Sequence, residues 1–595
     1  MTNSNSLKNI EVWEKIDWLK VERYVYKLQK QIFKASSHGD KKKVRQLQKT
    51  LIRFWYNRLL AVRRVSQDNR GKKTAGVDGI KSLTPVARIR LAKQLIIRGT
   101  SKATLRVWIP KPGKDEKRPL GIPTMHDRAL QGVVKNAIEP EWEAIFEPNS
   151  YGFRPGRACH DAITLIRFSI EKKPKYVLDA DISKCFDKID HAALLKKIGY
   201  KGKVRQQVKA WLESGVIDNK TFLETEEGTP QGGVISPLLA NIALHGLEEH
   251  LNEFAKTIDM KKPDGRHQQG WQDKVKSLNF IRYADDFVLM HKDKKVILEG
   301  KAIVEKWLSK IGLELKPSKT RIAHTLLPEE SEDGKAGFNF LGFHIRTFKV
   351  GYHSSIRLST GKRPGIRTLI TPTKEAYKKH QEKLRETIKN KKIEGQAELI
   401  GKLNPIIRGW MNYYKTSDIS TVGGHSNQDS DLYHKLRSWS RRRCKANWKR
   451  AYTKYWNHVS IRGKIVSRFS TKGVKGGLYL TKHTDTPCST KYVKVKGKAS
   501  PYDGNLIYWA TRMGRHPEMD SLKASLLKKQ KGKCARCGLY IRNGDIQETD
   551  HIIAKKLNGK NVYSNYQLLH GHCHDEKTAS DIKLINAAKK PVKDK

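Results

Sequence analysis

The chain has 595 residues, of which 118 are Lys or Arg against 60 Asp or Glu, giving a formal net charge of +58. An excess of that size, spread along the whole chain, calls for a polyanionic partner such as nucleic acid; on a membrane-surface protein the cations would line one amphipathic helix. No stretch is long and apolar enough to span a bilayer, residues 1–17 are polar and lack a secretion signal, and seven cysteines make no disulfide scaffold at this length, so the expected setting is a reducing compartment, not a secreted one.

Residues to about 70 read as helical, with Val21, Tyr24, Val25 and Leu28 at helical spacing, and a Gly-rich loop over 71–79 closes the segment. From about 104 to 351, short β-rich runs alternate with helical ones, as in an α/β or α+β enzyme. The stretch 259–273 reads as a polar loop. Residues 371–456 read as basic helices with interleaved Trp and Tyr, 460–517 are rich in Gly, Lys and Thr with no assignable pattern, and 522–580 read as a small metal module.

In 280–290 two apolar runs flank a polar turn, which predicts a β-hairpin with Asp285 and Asp286 at its tip. The run 177–182 predicts a strand with Leu178, Ala180 and Ile182 toward the core and Asp179 and Asp181 on the opposite side. If that strand lies beside the hairpin, Asp181 meets Asp285 and Asp286. Three clustered carboxylates repel one another unless divalent cations lie between them, and hard oxygen ligands select Mg²⁺. Two such ions suit in-line phosphoryl transfer. An Asp-Asp turn is by itself common, because Asp favours turns.

Tyr283-Ala284-Asp285-Asp286 resembles the signature of reverse transcriptases, and Asp181-Ile182-Ser183-Lys184-Cys185-Phe186-Asp187 the motif that carries their first catalytic Asp. Gly228-Thr229-Pro230-Gln231-Gly232-Gly233 is similar to their template- and nucleotide-contacting loop. Arg118-Pro119-Leu120-Gly121-Ile122-Pro123, Tyr151-Gly152-Phe153-Arg154-Pro155, Gly312-Leu313-Glu314-Leu315 with Lys319-Thr320, and Phe340-Leu341-Gly342-Phe343 match blocks of the group II intron branch, in order. The resemblance implies that Asp181, Asp285 and Asp286 hold two Mg²⁺ ions, with Asp286 supporting the site. It implies that Phe186 lies under the incoming sugar and excludes a 2′-hydroxyl, that Lys111 and Arg118 take the triphosphate, that Gln231 touches nucleotide or template, and that Lys319 sits near the leaving pyrophosphate.

Residues 13–79 resemble the N-terminal extension of the same enzymes. Arg408-Gly409-Trp410, Trp439-Ser440-Arg441-Arg442-Arg443 and Trp448-Lys449-Arg450 resemble their thumb, or maturase domain X, where Arg408, Trp410, Arg441, Arg442 and Arg443 would bind RNA.

Near the C-terminus Cys534-Ala535-Arg536-Cys537 has the spacing of a first zinc knuckle. With Asp550-His551, Asn565 and His570-Gly571-His572-Cys573-His574, the segment resembles an HNH nuclease of the ββα-metal type. His551 would be the general base, Asp550 and His574 would hold one divalent cation, and Asn565 would orient His551 or brace the loop. Where the family usually supplies a second Cys-x-x-Cys, this chain has His570-Gly571-His572-Cys573. Cys534, Cys537, His570 and Cys573 form the preferred structural zinc set, with His572 competing for the fourth place.

The expected fold is therefore a multidomain α+β chain: a right-hand polymerase with fingers, palm and a helical thumb, followed by a small ββα-metal module. Its expected parts are an RNA-binding extension (1–80), fingers and palm (81–355), thumb or domain X (356–460), a DNA-binding region (461–525) and the HNH domain (526–595). The resemblance implies an RNA-directed DNA polymerase working by target-primed reverse transcription, a maturase promoting splicing, and an endonuclease cutting target DNA during intron mobility. Group II intron RNA, target DNA and dNTPs would be the partners. A splicing factor on a decayed polymerase, or a retron-type or diversity-generating reverse transcriptase, is disfavoured by the intact carboxylates and the HNH tail.

Overall fold

The computed structural model describes residues 12–110, 116–219, 221–260, 270–351, 365–390, 395–445, 447–461, 463–472 and 477–588. Helices open the chain: α1 (Trp18–Ser37), α2 (Lys41–Arg53) and α3 (Trp55–Arg63), followed by α4 (Pro85–Gln94). Asp17 and Asp40 cap α1 and α2 by accepting from Lys20 N and Lys43 N, so the turn residues fix where the helices begin. Val21, Val25 and Ile32 bury one stripe of α1 against α5 (Met125–Ile145), and the Gln29 amide donates to Asn136 O at 2.9 Å.

Strands β1 (Thr104–Pro110) and β2 (Lys117–Ile122) pair antiparallel, and β4 (Val216–Asp218) and β5 (Thr221–Leu223) extend that sheet in the order β2-β1-β4-β5. Between them lie α6 (Cys159–Ile170) and β3 (Tyr176–Asp181). The second sheet, in the order β6-β7-β3-β8, is antiparallel; β6 is Asn279–Tyr283, β7 Asp286–His291 and β8 Arg321–His324. Leu178, Ala180 and Ile182 enter the main core as the alternation predicts, while Val177 on the other face joins a second core with Tyr151, Ile281 and Phe343. The sheet is thus covered on both sides.

A third sheet, β9 (Phe338–Phe340), β10 (Phe343–Lys349) and β11 (Ile366–Pro372), leads into the helices Lys374–Lys389, Gln396–Tyr414 and Gly424–Cys444. These pack around Leu384, Leu403, Ile407, Leu432 and Leu436. A hairpin of β12 (Trp456–Ile461) and β13 (Lys464–Phe469) follows. The stretch after it, which has no periodic pattern, folds back along α6. Val495 and Trp509 join the second core, Val495 N donates to Asp161 Oδ1 at 2.7 Å, and the Arg157 guanidinium donates to Gly497 O at 2.7 Å. The C-terminal piece is the hairpin β14 (Gln547–His551) and β15 (Tyr566–His570) followed by the helix Gly571–Ala588. No helix among the described residues is long and apolar enough to cross a membrane.

Candidate active site and metal centres

The register of β3 and β7 sets Asp181 directly opposite Asp286, and Asp285 occupies the β6–β7 turn. Ile182 N donates to Asp285 O at 3.2 Å, which ties that turn to the end of β3. The tight turn puts Ala284 at φ 58°. Two neighbours hold it there. Buried Arg282 donates to Ala284 O and Asn241 Oδ1, each at 3.1 Å, and to Ser150 Oγ at 2.7 Å. Gly152 lies so close that a Cβ there would collide with the Ala284 backbone, which explains the glycine after Tyr151.

Burial, with Asp285 and Asp181 alongside, pushes Asp286 up to about 7, and burial also raises Asp285. The Lys319 ammonium pairs with Asp181 Oδ2, so this carboxylate cluster already accepts one cation. Three oxygen donors under mutual repulsion fit divalent cations of the hard class.

In front of the carboxylates opens a cleft of about 1050 Å³ lined by Arg118, Phe186, Gln231, Asp181, Asp285 and Lys319. Six of the residues expected in the polymerase site thus converge on one cavity. Phe186 meets Phe153 edge-on, with ring centroids 5.9 Å apart. The Gln231 amide donates to both Asp187 oxygens, at 2.9 and 3.0 Å. Lys111 lies outside the described residues.

In the helical region Arg408, Arg441, Arg442 and Arg443 are exposed. Trp410 is not an open stacking platform. It lies against His380, stacked at 4.5 Å, and against Tyr377 and Tyr414, because its helix turns that face inward.

In the C-terminal module Cys534, Cys537, His570 and Cys573 bring their ligand atoms within 4.8 Å of one another. Hydrogen bonds from Cys537 and Cys573 hold the Cys534 thiol far below the ordinary range. A Cys₃His donor set of this kind fits a tetrahedral soft-ligand metal. The geometry favours His570 over His572, whose Nδ1 faces Glu22 of α1 at 3.5 Å.

At the other end of the β14–β15 hairpin, His574 Nε2 stands 3.9 Å from Asp550 Oδ1, a separation that one shared cation can bridge. Lys577 reaches Asp550 Oδ2 at 3.2 Å. His551 is hydrogen-bonded through Nε2 to Asn561 Oδ1 at 2.9 Å, a residue that no sequence pattern singles out. Of the two roles expected for Asn565, it makes the contacts of a loop brace: its Oδ1 accepts from Ile553 N, and its amide donates to Ile553 O and Lys560 O.

Four family models match the chain: the N-terminal domain of reverse transcriptase over residues 13–95, reverse transcriptase (RNA-dependent DNA polymerase) over 109–345, the group II intron maturase-specific domain over 377–456, and HNH endonuclease over 534–580. Together with the carboxylate cleft they define a reverse transcriptase joined to a maturase domain and an HNH nuclease. Protein YkfC of Escherichia coli is 33% identical over 312 residues, 47% of this chain and 78% of that protein. Group II intron-encoded protein LtrA of Lactococcus lactis is 29% identical over 416 residues, 58% of this chain and 66% of LtrA. Maturase-like protein 1 of Euglena longa is 27% identical over 421 residues, 68% of this chain and 78% of that protein. The chain belongs to the group II intron-encoded proteins that carry reverse transcriptase, maturase and HNH endonuclease domains.

Proposed function

We propose that the chain copies its own intron RNA into DNA at a target site, binds that RNA to promote splicing, and cuts the target strand that supplies the primer. The observation that carries this reading is the pairing of Asp181 with Asp286 across β3 and β7, with Asp181 and Asp285 lining the same cleft as Arg118 and Phe186, on the same chain as an Asp550–His574 pair. In this reading the β1–β2 sheet and the N-terminal helices are fingers, the β3–β6–β7–β8 sheet is the palm, and the helices from Lys374–Lys389 onward are the thumb. The boundaries near residues 80, 355, 460 and 525 divide the roles.

Asp181, Asp285 and Asp286 would hold two Mg²⁺ ions, which supply activation of the primer 3′-hydroxyl and neutralisation of the leaving pyrophosphate. The chain's own residues do the rest. The Arg118 fork, with Lys111, grips the triphosphate. The Phe186 ring closes the space a 2′-hydroxyl would need. Lys319, released from Asp181, meets the pyrophosphate. Gln231, anchored on Asp187, holds its loop against the templating pair. Arg408 and Arg441 to Arg443 take phosphates of the intron RNA.

In the HNH module His551, oriented by Asn561, accepts the proton of the attacking water. Asp550 and His574 would hold the divalent cation that neutralises the scissile phosphate, and zinc on Cys534, Cys537, His570 and Cys573 would staple the module. Such a ribonucleoprotein works where it meets the genome, in a bacterial cytoplasm or an organelle.

Primer extension on an RNA template with dNTPs and Mg²⁺ tests the reading. The unmutated protein is expected to make cDNA, and Asp285→Ala to reduce it at least about a thousand-fold. Absence of cDNA from the unmutated protein, even with intron RNA bound, would leave a splicing factor with a nuclease tail.

A further inference from the structure

Between α1 and the Cys534–Cys537 knuckle lies a cleft of about 880 Å³ that neither the polymerase nor the nuclease chemistry uses. Lys20, Arg23, Lys27 and Lys30 line one wall, spaced i, i+3, i+7 and i+10, so they form one stripe of the helix. Lys533 and Tyr540, beside the knuckle cysteines, line the other wall. None of the four α1 cations takes part in an ion pair among the described residues. The two carboxylates in the cleft are already engaged: Asp17 caps α1, and Glu22 meets Arg542 at 3.4 Å and His572 at 3.5 Å. The field in the cleft is therefore strongly positive.

The two walls are locked together. The Arg542 guanidinium lies 4.6 Å over the Tyr26 ring of α1 and binds Asp545 through Nε at 3.3 Å. Asp545 in turn lies 3.6 Å from Nε2 of His570. A continuous chain of contacts thus runs from α1 to the knuckle, and the cleft exists only while the nuclease module is docked.

The aromatic content narrows the occupant. Tyr24 is 46% exposed at the cleft, and Lys533 Nζ sits 5.3 Å over the Tyr540 ring. Cations interleaved with accessible rings suit a single strand, whose phosphates and unpaired bases are both reachable. The nuclease hairpin supplies the direction. His551 faces Tyr566 at one end of the β14–β15 pairing, and His570, at the other end, lines the cleft. Those ends are about 13 Å apart at the usual rise per strand residue, a distance that a few nucleotides of single strand span.

We propose that this cleft binds a single strand of DNA, the few nucleotides of the target that flank the bond cut by the HNH module. The proposal rests on reading that module as a DNA nuclease.

The test crosslinks the full-length protein by ultraviolet light to a deoxythymidine dodecamer carrying one 5-iododeoxyuridine, and separately to a uridine dodecamer carrying one 5-iodouridine. Crosslinked peptides are mapped by mass spectrometry. DNA crosslinks are expected at Tyr24 or Tyr540. The double variant Lys27→Ala, Lys533→Ala is expected to lose about five-fold of that yield with an unchanged melting midpoint. Its slope of log affinity against log salt should be shallower by about 1.4, for two lost phosphate contacts. Glu22→Gln, which loosens the lock, is expected to lower the same crosslinks. DNA crosslinks confined to other sites, or labelling of these tyrosines by the RNA dodecamer alone, overturns the proposal. The probe needs neither polymerisation nor cutting. A protein that crosslinks here without nicking DNA refutes the nuclease reading, whereas one that nicks without crosslinking here refutes the cleft.

Discussion

Asp181 and Asp286 face each other across the β3–β7 pairing, and the Lys319 ammonium is bound to Asp181 on the same edge. A fixed side-chain cation in a cluster proposed to hold Mg²⁺ would compete with the metal until nucleotide draws it away. Lys319→Ala is therefore expected to lower the Mg²⁺ concentration for half-maximal primer extension about three-fold and to cut the maximal rate about ten-fold. A Mg²⁺ titration of extension rates checks both. An unchanged half-saturation point would mean that the pairing has no bearing on metal loading.

Phe186 borders the carboxylate cleft with Phe153 packed against its edge, so its ring cannot swing far. Phe186→Val opens space where a 2′-hydroxyl would lie. Incorporation of ribonucleotides relative to deoxyribonucleotides, read from kcat/KM for each, is expected to rise at least about ten-fold. Equal selectivity in the variant would remove Phe186 from sugar discrimination.

Near the Asp285 turn, Glu147 and Glu248 are buried side by side with their acidities pushed apart. Burial and the Glu147 charge raise Glu248 to about 8, while Glu147, although buried, is brought down to about 2 by His245. Glu248 thus stays protonated in the folded chain between about 4.5 and 8, where the unfolded chain has lost that proton. Folding stability from this group is fully present below that window and falls as pH rises through it. Glu248→Gln keeps the acceptor for the Asn149 amide, now 2.7 Å away, and removes the ionisation. Relative to the unmutated protein, the variant should gain stability from pH 5 to pH 8, on the order of 2 kcal/mol at the upper end. Melting curves at the two pH values decide it, and parallel behaviour of the two proteins would be the negative result.

The knuckle chemistry separates two adjacent histidines. His570 belongs to the four-ligand cluster, while His572 points to Glu22. Metal analysis after exhaustive dialysis is expected to find about one zinc per chain in the unmutated protein and in His572→Ala, and none in His570→Ala. Retention of zinc by His570→Ala would reverse the ligand assignment.

The sequence by itself determined which residues are candidates for the chemistry of this protein. Asp285 and Asp286 at a turn between apolar runs, Asp181 on an alternating strand, and Cys534 with Cys537 at knuckle spacing are local patterns, legible because residue type and spacing over a few positions fix them. The tertiary structure decided what those patterns touch. It brought His570 rather than His572 among the knuckle cysteines, hydrogen-bonded Asn561 to His551 while Asn565 took up the loop, turned Trp410 into the helical core, and hung Gln231 on Asp187. It also seated Val495 and Trp509 in the second core, and Arg542 against Glu22 and Tyr26, across hundreds of residues of intervening chain. Such partners meet only because apolar burial brings distant segments together, and a buried polar group must then find its complement wherever the packing leaves one.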